Sequence, residues 1–378
     1  MNKKSIASTI AISAIALVAL AGCSQSKSPS SSNTQSSAFS KAQSAVTATP
    51  SVLKELAKEA KKQGQIHSVG MPNNWANYSE TWKDIENKYH IKHTDNNMTS
   101  GQEIATFIAQ GKHANADIGD VGFSYCKIAD KKGLLAKFKP TTWNSIPEWA
   151  KTPDGACMLS YTGTIAFLVD KSLVKTVPTS WHDLVNGHYK ISIGRVGSAG
   201  QANAALLSAA HAMGGNEDNL KPGYTYFEKL AKNHRLTLET PTLANVAKGG
   251  IGVAIMWDFN ALNMHALLKN NSNFEVLIPS DGAVTNGYST ALNINGKQLA
   301  AAKLSREYML SDQGQINFAK GNARPIRSDV KLPEAIKKKL LPASEYKNTF
   351  HIKNYSAWTK TVKSIPANWQ QYVMPYLS

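Results

Sequence analysis

Familiar marks of catalysis are missing from this 378-residue chain. It has no Gly-x-Ser-x-Gly elbow, no Gly-x4-Gly-Lys loop, no His-Glu-x-x-His and no Gly-x-Gly-x-x-Gly turn, so no motif supplies a nucleophile, a phosphate cradle, a zinc site or a nucleotide turn. No arginine-rich run, zinc-finger spacing or aromatic RNA-binding signature occurs, which argues against nucleic acid as a partner. Internal repeats and β-sandwich alternation are absent too, which argues against an adhesin or structural surface protein. Acidic residues are few, 26 against 42 Lys and Arg, and the formal charge is +16. The lysines are spread along the whole chain, as on a solvated surface, and such a basic exterior suits a protein held beside anionic lipids and wall polymers.

Cysteine occurs three times, as Cys23, Cys126 and Cys157. Cys23 closes the chain's first recognisable device. Lys3 and Lys4 precede an apolar run from Ile6 to Leu20, and Leu20-Ala21-Gly22-Cys23 follows. The run is short for a membrane span, and the small residues at 21 and 22 let a peptidase reach the bond before Cys23. Residues 1–22 therefore read as a lipoprotein signal peptide, with Cys23 as the lipid attachment site at the outer face of the cell membrane. Cleavage removes Lys3 and Lys4 and leaves 16 − 2 = +14. Residues 23–50 read as a tether, because the ten serines between 24 and 50 leave too little apolar surface to offset the entropy of ordering. Cys126 and Cys157 can form a disulfide in an oxidising compartment, or can equally remain as two buried thiols. The ten histidines are scattered, and His90 and His93 fall where a strand would put them on opposite faces, so they read as surface residues rather than metal ligands. No cofactor or metal is expected.

From residue 51 onward the pattern alternates between strand and helix. Val52, Leu53, Leu56, Ala57 and Ala60 recur at helical spacing and Gly64 stops them, after which 65–69 is strand-like. Trp75, Tyr78, Trp82, Ile85 and Tyr89 mark a second helix, and a short strand follows near Ile91. Ser100 to Glu103 reads as a capping box for a third helix, and 116–121 reads as a strand. Such spacing implies right-handed βαβ units and a mainly parallel sheet. The β-rich runs 157–161 and 164–169 are suited to crossing between lobes. Further strands are expected at 189–194, 251–257 and 274–279, a helix at 199–213, and a returning strand at 288–294. The fold class expected is α/β with two lobes, each a parallel-rich sheet flanked by helices, joined by crossover strands. Lobe 1 would hold residues 51–165 and 288–345, lobe 2 would hold 166–287, and 346–378 is left unassigned to either.

Tyr161 to Lys171, Pro178-Thr179-Ser180-Trp181, Ser311-Asp312-Gln313-Gly314-Gln315 and Ala323-Arg324-Pro325-Ile326 resemble segments of the extracellular solute-binding proteins of bacterial ABC importers. The likeness extends over most of residues 51–345 and is nearest to the branch that includes polyamine, ferric-iron, thiamine and aminoethylphosphonate binders. It implies a type II periplasmic-binding fold, closure of two lobes on a small solute, delivery to a membrane permease and action as a monomer without catalysis.

Five loops are expected at strand ends facing the cleft, where open α/β sheets bind ligands. The first offers Asn73 and Trp75, although Trp75 is equally suited to the core of its helix. The second offers Asp120 and Ser124, beside Gly122, with a turn or cap role open for Asp120. Tyr161 lies on the proposed crossover. Arg195 and Ser198 end a strand and open a helix, which suits an anion, whereas Ser198 as a plain N-cap is the alternative. Trp257 and Asp258 pair an aromatic face with a carboxylate, which suits an amine, whereas Asp258 can instead cap the helix after it. Tyr288 is a further wall, and Arg324 can pair a structural carboxylate. The ligand expected is a small polar solute, an organic amine or polyamine first. An anion or a zwitterion such as aminoethylphosphonate is the alternative, and ferric iron is disfavoured because no Tyr-Tyr pair occurs.

Overall fold

The principal strand at the start of the fold, β1 (Gln65–Val69), follows helix α1 (Pro50–Gln63), whose N-cap Thr49 accepts from the Val52 amide and whose end is the left-handed Gly64 at φ 66°. The computed structural model describes residues 45–237, 239–269 and 271–377. The signal and lipid site around Cys23, and the tether up to residue 44, lie outside the described residues. The last part of the stretch read as tether is folded: Val46–Thr47 pairs in parallel with Phe138–Lys139, and Ala48 is buried.

Helix α2 (Tyr78–Tyr89), strand β2 (Lys92–Asn96), helix α3 (Ser100–Gln110), strand β3 (Ile118–Gly122) and helix α4 (Phe123–Lys131) complete the first α/β series. Strand β4 (Leu159–Asp170) is buried along its whole length. After it come β5 (Ile191–Ser192), α5 (Gly200–Ala212), α6 (Lys221–Lys232), β6 (Leu236–Thr237), β7 (Val253–Trp257), α7 (Asp258–Leu267) and β8 (Phe274–Leu277). The chain then returns through β9 (Ala283–Leu292), α8 (Leu299–Met309), α9 (Asp312–Lys320) and β10 (Arg324–Pro325), and finishes in the long helix α10 (Tyr355–Tyr372).

The strand order is β2-β1-β3-β9-β4-β7-β5-β6, with β8 and β10 pairing β4 off this path. At each end the pairs β1/β2, β1/β3, β5/β7 and β5/β6 are parallel, as the βαβ spacing predicts. The centre is antiparallel, because β4 and β9 run between the two series. Residues Leu159–Thr164 of β4 pair with β9, and Ile165–Val169 pair with β7. The two half-sheets thus share one strand, which explains why β4 is twice the usual strand length.

Two local expectations are corrected. The N-cap of α3 is Thr99, not Ser100: Gln102 Oε1 accepts from the Thr99 amide at 3.0 Å, and the capping box is Thr99–Gln102. His93 is not a free surface residue, since its ring stacks on Trp82 at 3.7 Å and burial lowers its pKa to about 3. Of the two states open for Cys126 and Cys157, the disulfide is the one formed, tying α4 to the approach to β4. Helix α10 packs on both α4 and α6, so the segment left unassigned touches both series, with Phe123 against Tyr355 at 4.9 Å and Phe227 against Trp369 at 5.6 Å. Among the described residues no helix is long and apolar enough to cross a membrane.

Candidate functional site

A cavity of about 440 Å³ lies between the two series. Its first wall comes from the turn after β1 (Gly70, Pro72, Asn74, Trp75), the start of α3 (Thr99, Ser100, Gln102, Glu103) and Asp120 on β3. Its second comes from Gly194 and Arg195 after β5, the start of α5 (Ala199 to Ala202), Thr240, Thr242 and Tyr288 on β9. The walls meet at one rim, where the Gly101 amide donates to the Ser198 carbonyl at 3.2 Å and the Tyr125 hydroxyl donates to the Gly197 carbonyl at 2.9 Å.

The floor is an aromatic and acidic cluster. Trp75 Nε1 donates to the Tyr161 hydroxyl at 2.6 Å, and that hydroxyl donates to Asp120 Oδ2 at 2.5 Å. Trp75 meets Phe259 and Tyr288 edge-on at 5.3 and 5.4 Å, and Tyr161 stacks on Tyr288 at 5.8 Å. The Asp120 carboxyl is buried, and its Oδ1 has no hydrogen-bond partner among the described residues. Burial raises its pKa to about 8, partly offset by the Tyr161 hydroxyl. Burial and then the Asp120 charge likewise hold the Tyr161 and Tyr78 phenols well above their ordinary range.

Glu103 is a second buried acid on this wall. Its Oε2 accepts from the Asp120 amide at 2.9 Å, and burial, then the charge of Asp120, raise its pKa well above the usual carboxylate range. Gly70, at φ +71°, lies against this carboxyl, where a Cβ would collide with it. No ion pair of the described residues includes Asp120 or Glu103. On the opposite wall Arg195 is exposed, and α5 starts at Gly200 with Ala199 as its N-cap, so the N-cap side chain offers no acceptor; the Gln201 amide bonds the Tyr288 hydroxyl, and Ala199 to Ala202 line the cavity. One wall thus has excess acid and the other a guanidinium with a helix start, a polarity that suits opposite charges at the two ends of one solute.

The sequence-predicted residues divide accordingly. Trp75, Asp120, Arg195 and Tyr288 line the cavity, and Tyr161 stands directly behind Asp120. Asn73 is exposed and its neighbour Asn74 takes the lining position. Ser124 is buried in the first turn of α4, and Ser198 contributes its carbonyl at the rim; neither lines the cavity. Trp257 is buried and donates from Nε1 to the Tyr288 hydroxyl at 3.1 Å. Asp258 is buried, with Oδ1 accepting from Thr164 and Phe259 amides and Oδ2 from the Tyr346 hydroxyl at 2.6 Å. Burial holds the Asp258 pKa above the usual carboxylate value, partly offset by the Tyr346 hydroxyl and the charge of Arg324, which lies over the Tyr346 ring at 4.0 Å. Glu103 was hidden by the capping-box reading of Ser100 to Glu103. Moving the cap to Thr99 leaves Glu103 in no capping role and turns it inward. Gln201, whose Oε1 accepts from the Trp257 amide at 3.0 Å and from Asn260 Nδ2 at 2.8 Å, carries no sequence signal of its role.

Two α/β series joined by antiparallel crossover strands around a polar, solute-sized cavity define a binding protein of the type II periplasmic class. The chain belongs to the bacterial extracellular solute-binding proteins, whose family model matches residues 119–361. It is the substrate-binding component of an ABC importer, a class that captures small solutes and works with a membrane permease. It is 28% identical over 280 residues to a Salmonella typhimurium protein named as a candidate 2-aminoethylphosphonate-binding periplasmic protein, covering 71% of this chain and 75% of that one. Its fold matches the periplasmic binding protein AfuA of Actinobacillus pleuropneumoniae, bound to fructose-6-phosphate, with TM-score 0.68 and 18% identity over 82% of this chain and 98% of that one. The ferric binding protein of Campylobacter jejuni gives TM-score 0.62 and 19% identity over 82% and 98%.

Proposed function

We propose that this protein captures a small zwitterion with a primary ammonium at one end and a phosphonate or similar anion at the other, of which 2-aminoethylphosphonate is the type. The observation that carries the reading is the polarity of the cavity: Asp120 and Glu103 without a cation partner on one wall, Arg195 and the start of α5 on the other. The ammonium would sit between Asp120 Oδ1 and the rings of Trp75 and Tyr288, where in a desolvated site the aromatic contact is worth on the order of 2 kcal/mol. The anion would take the Arg195 guanidinium and the first α5 amides. The name of the Salmonella typhimurium relative agrees with this reading.

A polyamine is the second reading, favoured by the two unpaired acids alone, but it leaves Arg195 facing a like charge. The protein would act as a monomer of two lobes, 51–165 with 288–345 and 166–287, held to the outer face of the membrane by a lipid on Cys23 and handing its solute to a permease.

Calorimetric titration tests the ligand. 2-Aminoethylphosphonate should bind far more tightly than either ethylphosphonate or ethylamine, and a preference for spermidine over all three would overturn the zwitterion. Metabolic labelling with an alkyne fatty acid tests the anchor: the full chain should take the label and Cys23→Ser should lose it.

A further inference from the structure

Tyr288 lies midway along β9, and its ring and its hydroxyl serve different walls of the cavity. The ring meets Trp75 edge-on at 5.4 Å and stacks on Tyr161 at 5.8 Å, the phenol that bonds Asp120. The hydroxyl stands at the start of α5, where a Cβ on Gly200 would lie 3.6 Å from it. Two N–H groups already point at this oxygen. Trp257 Nε1 donates to it at 3.1 Å, and the Gln201 amide bonds it as well. An indole N–H and a backbone amide can only donate, so both use the acceptor capacity of the phenol and neither takes its proton. Burial holds the phenol above its ordinary titration range, so that proton is present at neutral pH. No acceptor among the described residues receives it. Gln201 Oε1 is filled by the Trp257 amide and Asn260 Nδ2, Ser100 Oγ takes the Gly122 amide, and Asp120 Oδ1 has no partner. The Tyr288 side chain is only 6% exposed, so a donor left unpaired there can complete its bond only with what fills the cavity.

Resting on the zwitterion reading above, we propose that the Tyr288 hydroxyl donates a hydrogen bond to an oxygen of the solute's anionic end and thereby fixes which end of the solute faces α5. The same oxygen, with two N–H donors on it, has no lone pair left for an ammonium. An ammonium placed at that wall would meet the phenolic proton, the Arg195 guanidinium and the α5 amides, all of them donors. The amine is therefore turned toward Asp120 and the face of the Tyr288 ring. A solute with an amine at both ends is disfavoured, because it leaves buried donors facing donors, whereas an anion at one end satisfies them.

Tyr288→Phe keeps the ring and removes only the hydroxyl. Calorimetry of the full chain with 2-aminoethylphosphonate and with ethylphosphonate should show both weakened about tenfold or more. Nuclear magnetic resonance titration with ethylamine, which has no anionic end, should show no change. The substitution also takes the acceptor from Trp257 Nε1 and so lowers stability, and a loss confined to the phosphonates is what separates a bond to the solute from a general loosening of the site. A second variant leaves every bond in place: 3-fluorotyrosine incorporated at position 288 makes the phenol a stronger donor and a weaker acceptor, and should tighten both phosphonates. Equal losses for all three ligands in Tyr288→Phe, unchanged phosphonate affinity in that variant, or no tightening with 3-fluorotyrosine overturns the donor role and leaves the zwitterion reading standing. If the unaltered protein binds neither phosphonate, the zwitterion reading has failed and the donor role falls with it.

Discussion

The Tyr161 hydroxyl donates to Asp120 Oδ2 at 2.5 Å while accepting from Trp75 Nε1 at 2.6 Å, so a single phenol on the crossover strand fixes both an acid and an aromatic wall of the cavity. Tyr161→Phe removes a donor from a buried carboxyl and an acceptor from a buried indole. The expected result is a loss of about 1–3 kcal/mol in unfolding free energy by urea denaturation. Calorimetry should show about a tenfold weaker 2-aminoethylphosphonate, with ethylphosphonate affected less.

Arg195 lines the cavity but its side chain takes no part in holding the fold together, so under the zwitterion proposal its removal should affect binding alone. Its side chain is exposed and forms no hydrogen bond or ion pair with a described residue. Arg195→Ala should leave the melting temperature of the unliganded protein unchanged. Affinity for a phosphonate should fall by roughly 10- to 150-fold, the worth of a charge-assisted hydrogen bond of about 1.5–3 kcal/mol.

Asp258 should behave in the opposite way. Three donors converge on it, and it lies behind the cavity rather than in it. Asp258→Ala leaves the Thr164 and Phe259 amides and the Tyr346 hydroxyl without an acceptor, and is expected to destabilise by about 2–4 kcal/mol. The ratio of affinities for amine-bearing and amine-free phosphonates, measured on the folded fraction, should stay as it is.

The acid on the cavity floor makes stability depend on pH. Burial raises the Asp120 pKa from 3.8 to about 8. Between those values the native state keeps a proton that the unfolded chain has lost. The associated stability is therefore fully present below about pH 4 and is lost as the pH rises through about 8. Glu103, raised in the same direction, adds to that slope. Asp120→Asn should flatten it, so that the variant is more stable than the parent at pH 8 by about 1 kcal/mol or more and the advantage shrinks on acidification. Urea midpoints across that range check it.

Cys126 and Cys157 enclose a sequence separation of 31 residues. A loop of that length corresponds to about 3–4 kcal/mol of chain entropy removed from the unfolded state. Cys126→Ser with Cys157→Ser should lower the unfolding free energy by an amount of that order. Solute affinity should hold, since neither cysteine lines the cavity.

The order of elements was written in the chain because local periodicity writes it. Gly64 stops α1, the aromatic spacing marks α2, and β4 reads as strand because its residues are β-formers buried on both faces. Trp75, Asp120 and Arg195 were legible as cavity residues for a related reason: each lies near the end or start of an element, and strand ends in open α/β sheets converge on one crevice, whereas Tyr288 lies midway along β9 and reaches the cavity through its pairing with β4.

What the sequence by itself determined, then, was element type, chain order and the class of loop that lines the cavity. Tertiary structure alone decided which side chains face inward. Trp257 and Asp258 look like an amine site in the sequence, yet β7 turns into α7 so that both are bonded into the interior. Tyr161 and Tyr288 are far apart in the chain and directly opposed across β4 and β9. Glu103 looks like a cap, and a one-residue shift of the helix start to Thr99 buries it beside Asp120. The reason is geometric: spacing along the chain fixes dihedral preferences over a few residues, whereas the juxtaposition of two acids depends on register between strands and helices that only packing sets.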